Sequence, residues 1–234
     1  MDVTLAGVTA ILGYAAFLFC TMLHEAGHAL VARWLGLREI YLHKGVNWNP
    51  FAHMEKSRFG LGIIPLISMF ANMRIAGVWT FGYSAAPFDP EWAVKNRRHA
   101  AWIAAGGPAA NFLAALVIAA AIRFGVSAGW FAYDFSATHW LLVKSTVPAL
   151  DAVAALSSIL LYQNILMAMF SLMPIPPLDG FAMLLLWMKP ERALRLYGWE
   201  NRLSFFYPIA VFHATAVFWS AMSRTYVYFL AVLF

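Results

Sequence analysis

Residues 4–34 read TLAGVTAILGYAAFLFCTMLHEAGHALVARW, and the fold turns on this stretch. Its first part, Thr4–Leu23, is uncharged over ~20 residues, the length needed to cross the hydrocarbon of a bilayer. Nothing breaks helical character before Gly36, so the helix is expected to run on through His24 to about Trp34. Such a helix is longer than the bilayer is thick, which puts HEAGH, residues 24–28, toward one end of the span. A cleaved leader is not expected. The segment before HEAGH has Asp2, no Lys or Arg, and no small-residue cleavage site.

Composition agrees with a membrane reading. Of 234 residues, 62% are hydrophobic and 12% charged. Soluble domains average roughly 45–50% apolar and about 25% charged. A chain of this size has too little core to absorb the excess, so an integral membrane protein of helices is expected. The net charge of +5 comes from residues in the connections between apolar stretches, with no dense basic run. They read as topology signals, and a nucleic-acid surface is excluded. The single cysteine, Cys20, allows neither an intrachain disulfide nor a thiolate zinc site.

The remaining spans follow from hydropathy. His99–Ile122 is a second and Val147–Met173 a third, the latter carrying Gln163 and Asn164 and closed by Pro174, Pro176 and Pro177. Phe205–Met222 is a fourth; Thr225–Phe234 is too short to cross alone. Phe59–Ser84 is apolar but glycine-broken, and Ile75, Trp79, Phe81 and Tyr83 share one parity, a period near two. A strand or hairpin is expected there, with a short helix over Ile63–Met73 as the alternative. The expected fold is an all-α polytopic membrane protein of about four transmembrane helices around a three-helix core. It carries a small β-hairpin or strand element in the 59–84 region. Residues 1–234 read as one membrane-embedded domain, with no PDZ or other regulatory domain.

The basic residues set orientation. Arg38, Lys44, Lys56, Arg58, Arg74, Lys95, Arg97 and Arg98 lie between the first and second spans, and Lys189, Arg192, Arg195 and Arg202 follow the third. The connection between the second and third holds only Arg123 and Lys144. The positive-inside rule then puts the N-terminus outside and HEAGH toward the cytoplasm, in the plasma membrane. Leu178–Gly180, after the third span, falls at a similar depth.

His24 and His28 are four apart, so on a helix they share a face and can hold one zinc ion. Glu25 points to the side, where it reaches a zinc-bound water as general base. Two histidines and a glutamate at membrane depth cost several kcal/mol unless something pairs them, and a metal is the simplest partner. A catalytic zinc takes a third protein ligand. Asp179 is the only acid between Asp151 and Glu191, and it follows the helix-breaking MPIPPL. His43, His53 and His99 are alternatives that read more simply as loop or interfacial residues, and His213 as a hydrogen-bonded helix histidine.

HEAGH after a long apolar segment, GGPAAN at 106–111 in a second span and MPIPPLDG at 173–180 ending a third resemble the site-2 protease family of intramembrane zinc metalloproteases. The three motifs occur in the family's order, over about Leu5–Gly180. The resemblance implies that His24, His28 and Asp179 ligate one Zn2+ per chain and that Glu25 activates water. It implies a three-helix core with its zinc within the bilayer, on the cytoplasmic side, and substrates that are single membrane-spanning segments. Asn111 matches the family's second-span asparagine. It either donates to the oxyanion or substrate backbone, or makes a helix–helix hydrogen bond. Asn164 reads as polar glue in the third helix. Ser171 stands where the family usually has Asn, and Phe181 where it has Gly. The expected effect is shifted substrate positioning with zinc retained.

An edge strand within Arg74–Ser84 would serve to pair with an unwound substrate, or simply pack. Recognition then falls to the membrane domain itself or to an accessory membrane protein. The rival reading is a non-catalytic zinc-binding membrane protein, a transporter or chaperone-like relative. A transporter should string ionisable groups across several spans, whereas here they cluster at one depth beside an intact general base.

Overall fold

A computed structural model describes residues 3–37, 58–75, 80, 82, 89–134, 141–174, 178–184 and 186–203. Helix α1 (Val3–Trp34) is followed by a π-helical turn at Arg58–Ile63 that leads into α2 (Ile64–Ile75). Then come α3 (Pro90–Lys95), α4 (Arg97–Ser127), strands β1 (Phe131–Tyr133) and β2 (Val143–Ser145), and a 3-10 turn at Pro148–Leu150. Helices α5 (Asp151–Ser171), α6 (Asp179–Leu184) and α7 (Pro190–Leu203) complete the described order.

The fold is that of an all-α polytopic membrane protein with a small β element. Ala10–Trp34, Arg97–Ser127 and Pro148–Ser171 are long and apolar enough to cross a membrane. The expected fourth span, Phe205–Met222, lies outside the described residues, as does Thr225–Phe234. The strand expected within Arg74–Ser84 falls largely outside the described residues, and the described strands lie elsewhere. Phe131 pairs with Ser145 and Tyr133 with Val143 in an antiparallel ladder between the second and third spans. Residues 58–75, the first part of the stretch expected to hold it, are helical. Of 76–84, only Thr80 and Gly82 are described, and neither is in a strand. The short helix named as an alternative over Ile63–Met73 is present as α2.

Helix ends follow local chemistry. α1 closes in a Schellman motif: Leu37 N donates to Ala32 O at 2.9 Å, and Gly36 has φ of 73°. α3 starts at Pro90 behind Asp89, whose carboxylate accepts from Trp92 N at 2.9 Å.

Contacts divide the chain into two units. The first comprises residues 1–24, 47–84 and 110–168. Two of its buried polar side chains, Ser158 and Gln163, are engaged by main-chain groups, as apolar surroundings favour. Ser158 Oγ accepts from the backbone of Leu142 and Val143 at 3.2 and 3.3 Å and donates to Ala154 O at 3.0 Å, fixing the entry to β2. Gln163 receives Thr80 N at 3.3 Å and donates to Thr80 O at 2.6 Å, gripping both main-chain groups of that residue. Helix–helix association in lipid relies on such bonds and on close packing, because lipid tails are as apolar as the side chains.

The second unit comprises residues 25–46, 85–109 and 169–234. Its core is rich in alanine: Ala32, Ala93, Ala100, Ala104, Ala182 and Ala193 surround Val94, Ile103 and Phe181. Phe181 is 2% exposed. The residue that departs from the family's glycine is therefore a packing residue here. Small side chains let backbones approach, most closely at Gly106, where an added Cβ would lie 2.6 Å from Gly27 O.

Candidate metal centre

α1 presents its two histidines one turn apart, both buried, with Glu25 partly buried beside them. Each histidine is held through Nδ1. His28 Nδ1 lies 2.6 Å from Ile103 O on α4. Gly107 N also points at this nitrogen, at 3.2 Å. One nitrogen cannot donate and accept in the ring plane at once. A carbonyl oxygen at 2.6 Å can only accept, so the proton is on Nδ1 and the Ile103 contact is the hydrogen bond. The small Gly106 lets this turn of α4 approach α1 closely.

His24 Nδ1 lies 2.7 Å from Asn111 Oδ1. Asn111 Nδ2 donates to Cys20 O at 3.0 Å and to Asn164 Oδ1 at 2.9 Å. Asn164 Nδ2 donates to Leu160 O at 2.9 Å. Asn111 and Asn164 are fully buried. Both donors of the Asn111 amide are thus engaged, so donation to an oxyanion needs one of these bonds to break. These contacts join Asn111 on α4 to α1 and α5.

With Nδ1 occupied on both rings, each histidine keeps its Nε2 lone pair for a metal. Asp179 opens α6, and its Oδ1 is 3.3 Å from His28 Nε2. Ligands ~2.0–2.2 Å from a tetrahedral zinc are about 3.4 Å apart, so this pair already has the spacing of one tetrahedral edge. His24, His28 and Asp179 each offer a ligand atom, and these atoms lie within 4.8 Å of one another. The donor set of two imidazoles and one carboxylate suits zinc, with a position left for water. Asp179 is placed by Gly180, where a Cβ would collide with the carbonyls of Leu172 and Met173.

Among the described residues this is the group able to hold a metal. Glu25 and His99 are not in it, while His43, His53 and His213 lie outside the described residues. Ser171, buried at the end of α5, is likewise not a ligand in this group. Residue types alone gave no sign of the orienting parts, Ile103 O and Asn164. A carbonyl carries no sequence signal, and an asparagine in a span signals only that it needs partners.

No curated protein and no solved structure matches the chain. The model of peptidase family M50, the site-2 protease family, matches residues 12–198, which takes in HEAGH, GGPAAN and MPIPPLDG. The chain belongs to peptidase family M50, a family of zinc-dependent metallopeptidases, and is an integral membrane member of it.

Proposed function

We propose that this chain is an intramembrane zinc endopeptidase of the site-2 type, hydrolysing a peptide bond within or beside a transmembrane segment of a membrane-protein substrate. The observation that carries the reading is the meeting of His24, His28 and Asp179 at the end of an apolar helix, with their ligand atoms within 4.8 Å. His24 and His28 would hold the zinc through Nε2 and Asp179 through a carboxylate oxygen. Zinc, when bound, polarises the scissile carbonyl and lowers the pKa of a coordinated water toward ~7. Glu25, one residue on from His24, takes the proton from the attacking water and delivers it to the leaving amine. Burial of the histidines keeps bulk water from the group and strengthens electrostatics there. The basic connections favour an orientation with the N-terminus outside and this site toward the cytoplasm, and we place the chain in the plasma membrane as part of the proposal.

Co-expression with candidate single-span membrane proteins tests the reading. The native chain should cleave and bind about one zinc. Glu25→Gln should retain zinc and lose cleavage by at least ~100-fold, the scale of general-base catalysis. Asp179→Ala should lose both. Undiminished cleavage by Glu25→Gln sinks the mechanism, and unchanged zinc affinity in Asp179→Ala removes Asp179 as a ligand. Zinc without cleavage of any candidate would favour the non-catalytic reading.

A further inference from the structure

Two backbone carbonyls orient a chain of side-chain amides that ends on a metal-binding histidine. Leu160 O can only accept, so Asn164 turns Nδ2 toward it at 2.9 Å and Oδ1 toward Asn111. Cys20 O can only accept, so Asn111 turns Nδ2 toward it at 3.0 Å, in agreement with the bond to Asn164. Neither amide can flip without setting two acceptors face to face. Asn111 Oδ1 is thereby the atom facing His24, and the imidazole proton must be on Nδ1.

We propose that Asn111 and Asn164 are positioning residues that fix the tautomer and ring orientation of His24, so that Nε2 presents its lone pair to the metal. The inference rests on His24 being a ligand, as in the function proposed above. Without Asn111 Oδ1, nothing in this relay holds the proton on Nδ1, and a proton on Nε2 would have to leave before zinc could bind. Partners of this kind are worth about 10–100-fold in metal affinity. His28 gets the same tautomer from Ile103 O, a backbone atom, and supplies an internal reference in the same sample.

The test reads the tautomer directly in zinc-free protein by nitrogen NMR of labelled histidine rings, with His24 assigned through its loss in His24→Gln. Native protein should show His24 protonated on Nδ1. A native His24 carrying its proton on Nε2 overturns the proposal without any variant. Asn111→Leu should move the proton to Nε2 and raise the zinc Kd about 10–100-fold, leaving His28 unchanged. Asn111→Asp should keep the Nδ1 proton and a Kd within tenfold of native, because a carboxylate still accepts from His24.

A merely structural Asn111 predicts the reverse for Asp, which can donate to neither Cys20 O nor Asn164 Oδ1. If Asp matches Leu in tautomer and Kd, the proposal fails. Should Asn111→Leu not fold, the native spectrum and the Asp variant still decide. Asn164→Leu should raise the Kd less than Asn111→Leu; a native Kd would remove Asn164 from the relay. A native chain that binds no zinc would sink the metal reading while leaving the tautomer result intact.

Discussion

In the proposed zinc site His24 and His28 have the same task and opposite supports. His28 is held by main chain: its ring bonds Ile103 O, and α4 sits where it does because Gly106 has no side chain. His24 is held by side chains, through Asn111 and behind it Asn164. A support made of backbone is blind to residue type except where a glycine admits the approach. A support made of side chains can be dismantled one residue at a time. The chain therefore places one ligand by packing and the other by polar bonding, and substitutions should separate the two.

The strongest disturbance on the main-chain side is expected at Gly180. A Cβ there meets two backbone carbonyls, which cannot swing aside as a side-chain tip can. Gly180→Ala should cost about 1–3 kcal/mol of stability, the usual range for overpacking. It should also carry Asp179 away from His28 Nε2. Thermal unfolding in detergent and zinc titration check both parts. A variant with native stability and native affinity would mean that the turn relaxes freely.

Gly106→Ala comes next. Its Cβ would lie 2.6 Å from Gly27 O and 2.9 Å from Val31 Cγ2, and the valine can rotate in part. Gly27 O is main chain and cannot rotate away, so the expected cost is about 1–2 kcal/mol, below that of Gly180, where two carbonyls are met. In histidine NMR the loss should appear at His28, through a longer bond to Ile103 O, with His24 unmoved. A disturbance confined to His24 would erase the contrast between the two supports.

Much of this was legible in residue types. Thr4–Leu23 announced a span by charge alone, and the four-residue spacing of His24 and His28 announced a shared face. Asp179 emerged because it is the one acid in its stretch and follows prolines that end a helix. What stayed hidden depends on where backbone oxygens point. Nothing in GGPAAN says that Asn111 would spend both donors on Cys20 O and Asn164, or that Ile103 would offer its carbonyl. Gln163 read as a polar residue in a span, and its grip on Thr80 needed the fold. The alternation at Ile75–Tyr83 falls largely outside the described residues, and the described strand pair lies elsewhere. A three-residue strand pair such as Phe131–Tyr133 with Val143–Ser145 is too short to leave a periodic signal.

The smallest effect tests the contrast most cleanly. Ile103 is fully buried, and its side chain packs in the alanine-rich core while its carbonyl holds His28. Ile103→Val removes one methyl from the core and leaves the carbonyl in place. Stability should fall by roughly 0.5–1.5 kcal/mol. Zinc affinity should not change, since the atom that orients His28 belongs to the main chain. Asn111→Leu should give the opposite pattern, with the change concentrated in zinc affinity. If Ile103→Val weakens zinc as much as Asn111→Leu does, both histidines depend on side-chain packing, and the division between them is lost.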